Sequence, residues 1–263
     1  MGRRSQETAR GTEKMKVISA ANQKGGVGKT NFIVHLAHDF IERGLKVLVL
    51  DTDPQGNASF SLSAYASKVT ASQFFDDKPI ALSPKDGITL VTGDPKMLNI
   101  EKLNISDVGD NLKRNLKSVS EQFDVCLIDT APTLGVRLAS VMYASDYVFT
   151  PIEVEAYSML GVSLMRKTIA NMSQLNPSLV NLGLIASRVD KRNPLHVRNF
   201  DSLKSNHADQ LVPVVIGQRS SFGVALHSKV PVWNIKKTSA RVAAKEMRDF
   251  AEYVFNKVEL TND

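Results

Sequence analysis

The chain has 263 residues, enough for one full hydrophobic core or two small ones, with 43% hydrophobic and 23% charged residues and a net charge of +6. No apolar run approaches the eighteen or more residues of a membrane helix, and the opening MGRRSQETARGTEK is basic without the apolar stretch of a secretory signal. A single cysteine, Cys126, excludes an internal disulfide framework and any intrachain Cys-x-x-Cys metal or cluster site, so the chain reads as intracellular.

Residues 1–15 show no apolar period and read as a flexible basic tail. MKVISAA is a buried strand, followed by the glycine loop of ANQKGGVGKTN. TNFIVHLAHDFIERG is a helix with Phe32, Ile33, Leu36, Ala37, Phe40 and Ile41 on its apolar face, ended by Gly44. KVLVLD is a second buried strand, which completes a βαβ unit and implies a parallel sheet. GITLVTGD is a strand, and SDVGDNLKRNLKSVSEQF a helix with Ser106 as its expected N-cap. DVCLIDT and DYVFTPI are further apolar strands, and AYSMLGVSLMRKTIANMSQL is helical. VNLGLIASRVD is a strand, NFDSLKSNHADQ a short helix and LVPVVI another strand. The chain closes on the helix TSARVAAKEMRDFAEYVFNKV, with Ala240, Ala243, Ala244, Met247, Phe250, Ala251, Val254 and Phe255 inward. There is no repeat and no long linker. The prediction is a single α/β domain over 16–260: a doubly wound, mostly parallel sheet of about seven strands with helices on both faces.

Charge is uneven along this frame. Residues 17–130 carry 12 basic and 14 acidic side chains, whereas residues 188–257 carry 13 and 6. A basic C-terminal third suits a polyanionic partner, nucleic acid first and acidic membrane second; a surface tuned for solubility is the plainer alternative.

Gly28, Lys29 and Thr30 fit the end of the phosphate-loop pattern G-x-x-x-x-G-K-[ST], but Gln23 stands where its first glycine belongs. The start of a helix offers free backbone N–H groups and a partial positive charge, and Gly25, Gly26 and Gly28 let a phosphate come close. Lys29 is placed to reach the β- and γ-phosphates, and the Thr30 hydroxyl to ligate Mg²⁺. KGGVGKT resembles the deviant Walker A loop of the ParA/MinD family of P-loop ATPases, whose pattern is K-G-G-x-G-K-[ST]. The resemblance covers residues 16 to about 257, strongest up to residue 60. It implies that Lys24 crosses a dimer interface to touch the nucleotide of the other subunit. It also implies that Lys24, Gly25, Gly26, Val27, Gly28, Lys29, Thr30 and Asn31 surround ATP. Asn31 departs from the threonine usual in the family near the α-phosphate.

Two carboxylate segments carry the resemblance further. DTDPQGNAS resembles the family's D-x-D-P-Q-G-N segment, which implies that Asp53 holds the attacking water and that Asp51 sits near the metal or supports the loop. DVCLIDTAP resembles a Walker B strand, which implies that Asp129 holds Mg²⁺ through its water, with Thr30 as the direct ligand. TPIEVE falls where the family has a Pro-x-x-x-Glu piece, and the segments ASRVD and VVIGQRSS fall where it contacts adenine.

Among the family's branches, the cluster-binding ones need cysteines that are absent here. The closing helix carries Glu246, Asp249 and Glu252 and makes a poor membrane anchor. That leaves the small partition ATPases of the ParA/Soj type, without room before residue 16 for the helix-turn-helix domain of larger ones. The implied protein is cytoplasmic, nucleoid-associated when ATP-bound, and does not bind membrane. It is a weak ATPase and ATP-dependent homodimer that holds nonspecific DNA, released when a ParB-type partner stimulates hydrolysis. Arg219, Lys236, Lys237, Arg241 and Lys245 are the expected phosphate contacts on DNA. A MinD-like membrane-cycling ATPase and a metabolic ATP-dependent ligase of the dethiobiotin synthetase type are the alternatives.

Overall fold

The computed structural model describes residues 15–155 and 158–260, with the side chains of all of these except 158–161. The expected N-terminal tail lies outside the described residues, apart from Met15. That residue is 2% exposed and packs in the core.

In chain order the elements are β1 (Lys16–Ala20), α1 (Lys29–Glu42), β2 (Val47–Asp51), α2 (Asn57–Ser61), β3 (Ala66–Thr70), β4 (Ile88–Thr92), α3 (Met97–Ile100) and α4 (Ile105–Val119). They continue with β5 (Val125–Asp129), α5 (Val136–Ala144), β6 (Tyr147–Glu153), α6 (Ser158–Leu175), β7 (Val180–Val189), α7 (Pro194–His207), β8 (Leu211–Gly217), α8 (Ser220–His227) and α9 (Thr238–Val258). The strands form one sheet in the order β3-β4-β2-β5-β1-β6-β7-β8, and every pairing is parallel.

The continuous apolar runs follow from burial on both faces. Ile18, Ala20, Val47, Val49, Val125 and Leu127 face the layer that holds α1 and α9. Their neighbours Val17, Leu48, Leu50, Cys126 and Ile128 point the other way, towards α4. Phe32, Phe149 and Phe250 meet edge to face at centroid distances of 4.8–5.8 Å, which ties α1, β6 and α9 together. The inward face of α9 is thus core: Ala243, Met247, Phe250 and Val254 are all fully buried. No described helix is long and apolar enough to cross a membrane.

The eighth strand, β3, is an addition to the seven expected. It lies at the sheet edge, and of ASKVT only Val69 is buried, so it carries no apolar run to read. The cap of α4 is Asn104 rather than Ser106. The Asn104 side chain accepts from the Ser106 N–H at 2.9 Å and from its hydroxyl at 2.7 Å. The short helix expected after β7 starts earlier, at Pro194, with Asn193 capping the Leu195 N–H at 3.0 Å.

Candidate nucleotide site

The C-terminal ends of β1, β2 and β5 lie side by side, with Asp51 in register with Asp129. Open parallel sheets bind ligands outside this edge. The loop after β1 turns into α1 through Gly26 at φ +79° and Gly28 at φ +96°, a left-handed backbone that only glycine takes without strain. A side chain on Gly28 would also press on the Ser187 hydroxyl, 3.3 Å away. The first-turn N–H groups of α1 have no intrahelical acceptors and face this end of the sheet.

Lys29 folds back over the loop. Its ammonium donates to the carbonyl of Asn22 at 2.9 Å and to that of Lys24 at 3.3 Å. Burial lowers its pKa, against the attraction of Asp129 and Asp53. Thr30 donates its hydroxyl to Asp129 Oδ2 at 2.7 Å. Asp129 is fully buried, and its Oδ1 has no hydrogen-bond partner among the described residues. Burial, and next the charge of Asp51, pushes the Asp129 carboxyl well above the usual range. Asp51 is pushed up to about 6, chiefly by burial. Asp53, 7% exposed, accepts the Gln55 N–H at 2.9 Å on Oδ1 and lines the cavity.

Two carboxylates, Asp129 and Asp53, thus act on one buried lysine, and the carboxylate that accepts the Thr30 hydroxyl keeps one oxygen without a partner among the described residues. Such a donor set is short of positive charge and fits a hard divalent cation. Among the described residues no group of three or more His, Cys, Asp and Glu is arranged to hold a metal alone. Mg²⁺ does not need one, because it binds through one or two protein oxygens together with substrate phosphates. Asp51 is committed elsewhere. Its Oδ2 accepts the N–H and hydroxyl of Ser59, and its Oδ1 accepts the Asp53 N–H. Of the two roles expected for Asp51, this geometry is that of loop support.

The cavity holds about 800 Å³, and Lys29, Thr30, Asp53, Ser187, Gln218 and Phe222 are among the residues that line it. The segments expected at the adenine therefore do line it. Arg219 lines it too, with its guanidinium on Glu246 at 2.5 and 2.9 Å. The other four expected DNA contacts are not among the residues that line the cavity. Lys236, Lys237, Arg241 and Lys245 are exposed just before and along the start of α9, and Lys245 pairs with Asp249 at 2.7 Å.

Lys24 stands outside the cavity lining. Its side chain is 48% exposed and spans two carboxylates, Glu153 at 2.7 Å and Glu155 at 2.6 Å. Burial alone would lower its pKa, but these two partners outweigh it and raise the value. Arg188 braces the same corner, with Nε 3.1 Å from Glu153 and a bond to the Gly26 carbonyl at 3.1 Å. No spacing in the sequence marks either glutamate as a partner for Lys24; both lie in TPIEVE, which falls where the family has its Pro-x-x-x-Glu piece.

A strand, a glycine loop, a helix and carboxylates from two adjacent strand ends define a P-loop nucleoside triphosphatase. Residues 15–181 match the family model described as an AAA domain, and the chain belongs to that family. It is 48% identical over 262 residues to Protein IncC of Escherichia coli, covering 95% of this chain and 72% of that one. It is 28% identical over 227 residues to the chromosome-partitioning ATPase Soj of Thermus thermophilus, covering 83% of this chain and 90% of the relative. More particularly, then, it is a member of the ParA-type ATPases of plasmid and chromosome partition. The fold is shared more widely. The crystal structure of cobyrinic acid a,c-diamide synthase from Mycobacterium smegmatis with bound ADP and magnesium superposes with a TM-score of 0.73 at 25% identity, covering 93% of this chain and 96% of the synthase.

Proposed function

We propose that this protein is a DNA-partition ATPase in which ATP, pairing of two copies and DNA binding form one cycle. The observation that carries the reading is Lys24: an exposed lysine on the rim of a phosphate loop, outside its own cavity, its ammonium held among the described residues by two carboxylates, Glu153 and Glu155. Such a side chain is free to exchange those partners for the phosphates of a second subunit. A cation supplied in trans stabilises the charge that develops on the transferred phosphoryl group, and it makes pairing depend on nucleotide.

ATP occupies the cavity with its phosphates on the 24–31 loop. Lys29 leaves the carbonyls of Asn22 and Lys24 for the β- and γ-phosphates. Thr30 and Asp129 are the residues that would hold Mg²⁺, which, when bound, neutralises phosphate charge. Asp53 orients the attacking water. Lys236, Lys237, Arg241 and Lys245 of the paired subunits contact DNA phosphates without reading bases. A ParB-type partner stimulates hydrolysis, and the pair then separates and leaves the DNA.

The experiment is a mobility shift on random-sequence DNA with no nucleotide, ADP, ATP and a slowly hydrolysed analogue. The shift should need ATP or the analogue and weaken steeply as salt rises. Binding without nucleotide, or binding indifferent to salt, contradicts the reading.

A further inference from the structure

Asp53 stands on a loop whose anchor lies outside both the phosphate loop and the cavity wall. Ser59, in α2, donates its hydroxyl to Asp51 Oδ2 at 2.6 Å and its backbone N–H to the same oxygen at 2.8 Å. The same hydroxyl accepts the N–H of Gly93, just past the end of β4, at 2.9 Å. The other carboxylate oxygen, Asp51 Oδ1, accepts the N–H of Asp53 at 3.1 Å. An unbroken chain of hydrogen bonds therefore runs from β4 through Ser59 and Asp51 to the backbone of Asp53. The Asp53 side chain is oriented in turn by the Gln55 N–H.

The surroundings leave this chain little slack. Asp51 is fully buried, so a donor lost from its carboxylate is costly. At Gly93 a Cβ would come within 2.4 Å of the Asp53 carbonyl oxygen, so the end of β4 and the Asp53 loop are pressed together there. Ser59 itself does not line the cavity, although Asn57, Phe60 and Ser61 on either side of it do. Its hydroxyl thus faces the carboxylate and not the nucleotide.

We propose that Ser59 is the positioning residue for Asp53. It locks the Asp51 carboxylate, and that carboxylate fixes where the Asp53 backbone, and with it the water-orienting side chain, can stand. Losing the hydroxyl removes one donor from Asp51 and the acceptor from Gly93 together. The phosphate loop is untouched, so the effect falls on cleavage of bound ATP and not on its capture. The proposal rests on the water-orienting role given above to Asp53.

The test compares single-turnover ATP hydrolysis and direct nucleotide binding in Ser59→Ala, Ser59→Thr and Asp53→Ala. For Ser59→Ala the cleavage rate should fall about ten- to a hundredfold, the size expected for one hydrogen bond to a buried charge. ATP affinity should stay within about twofold, because Ser59 makes no contact at the cavity wall. Ser59→Thr keeps the hydroxyl and should recover most of the rate. Should the alanine variant fail to fold, Ser59→Cys, a weaker donor, should show the same split in smaller measure. Wild-type cleavage by Ser59→Ala, or equal losses of rate and affinity that threonine does not rescue, overturns the proposal. If Asp53→Ala still cleaves normally, the role of Asp53 falls and this proposal with it. If Asp53→Ala is inactive while Ser59→Ala is normal, only the proposal falls.

Discussion

Replacing both carboxylates that hold Lys24, Glu153→Gln with Glu155→Gln, should tighten nucleotide-dependent pairing. In the single chain Lys24 must give up these partners before it can reach a neighbouring nucleotide. Lys24 and Glu155 are 48% and 56% exposed, so water and salt screen that contact heavily, while Glu153 is 12% exposed and its contact is screened from the lysine side. Ion pairs with a half-exposed lysine are each worth roughly 0.5 kcal/mol. Two per protomer and two protomers come to about 2 kcal/mol, or about a thirtyfold lower dimer dissociation constant. The assay is sedimentation or light scattering across a protein dilution series with a nonhydrolysable ATP analogue, at low and at high salt. The gain should shrink at high salt, where exposed pairs are screened. Arg188 loses its Glu153 contact in the same variant but keeps the Gly26 carbonyl, so the rim of the loop stays braced. Pairing that is unchanged or weaker in the double variant would refute the reasoning, because the carboxylates would then not compete with the dimer for Lys24.

Lys29→Ala should abolish nucleotide binding in a titration calorimeter, since no other described lysine enters the cavity. Asp53→Ala should bind ATP and DNA but stay trapped on both, seen as a mobility shift that persists with ATP long after the wild type has released. His35 makes stability depend on pH. It is fully buried, donates from Nδ1 to the Asn31 carbonyl at 2.7 Å and accepts the Val232 N–H on Nε2 at 3.0 Å, and burial lowers its pKa to about 4. A depressed histidine contributes stability that is present above pH 6.5 and lost as pH falls through 4, about 3 kcal/mol in all. Asp51, raised to about 6 by burial, has the opposite sign between pH 3.8 and 6, so the histidine is read from the difference. Denaturant melts of the wild type and His35→Gln should therefore diverge less at pH 4.5 than at pH 7.5; a constant gap contradicts the assignment. Asn115→Ala should cost about 1–3 kcal/mol in the same melts, because the buried amide bridges the carbonyls of Phe74 and Asp76 at 3.0 and 2.9 Å.

What could be read in advance tracks how local the signal is. The phosphate loop lies in one run from Lys24 to Thr30, flanked by an apolar strand and an amphipathic helix, so its turn and its place at the end of the sheet are both legible. The buried strands were legible for a related reason: a parallel strand covered on both faces, such as VLVLD, is apolar at every position before its terminal aspartate. Edge strand β3 shows no such run, because solvent takes most of its side chains. The contacts that assign roles inside the site span the chain. Lys24 meets Glu153 across 129 positions and Arg219 meets Glu246 across 27, and no spacing rule links residues so far apart. Arg219 belongs by sequence to the basic C-terminal third, and only the fold shows that a partner on α9 sets it in the cavity wall. The bond from Ser59 to Asp51 spans only eight residues, but the turn between them, with Gly56 at φ +64°, is what folds the hydroxyl back onto the carboxylate.

The most direct measurement is the molar mass of the wild type and of Lys24→Ala in solution with a nonhydrolysable ATP analogue and Mg²⁺, with nucleotide binding measured on the same samples. The wild type should double in mass, and Lys24→Ala should bind the analogue yet remain single. A Lys24→Ala variant that pairs as fully as the wild type would show that the lysine does not link nucleotide to partner.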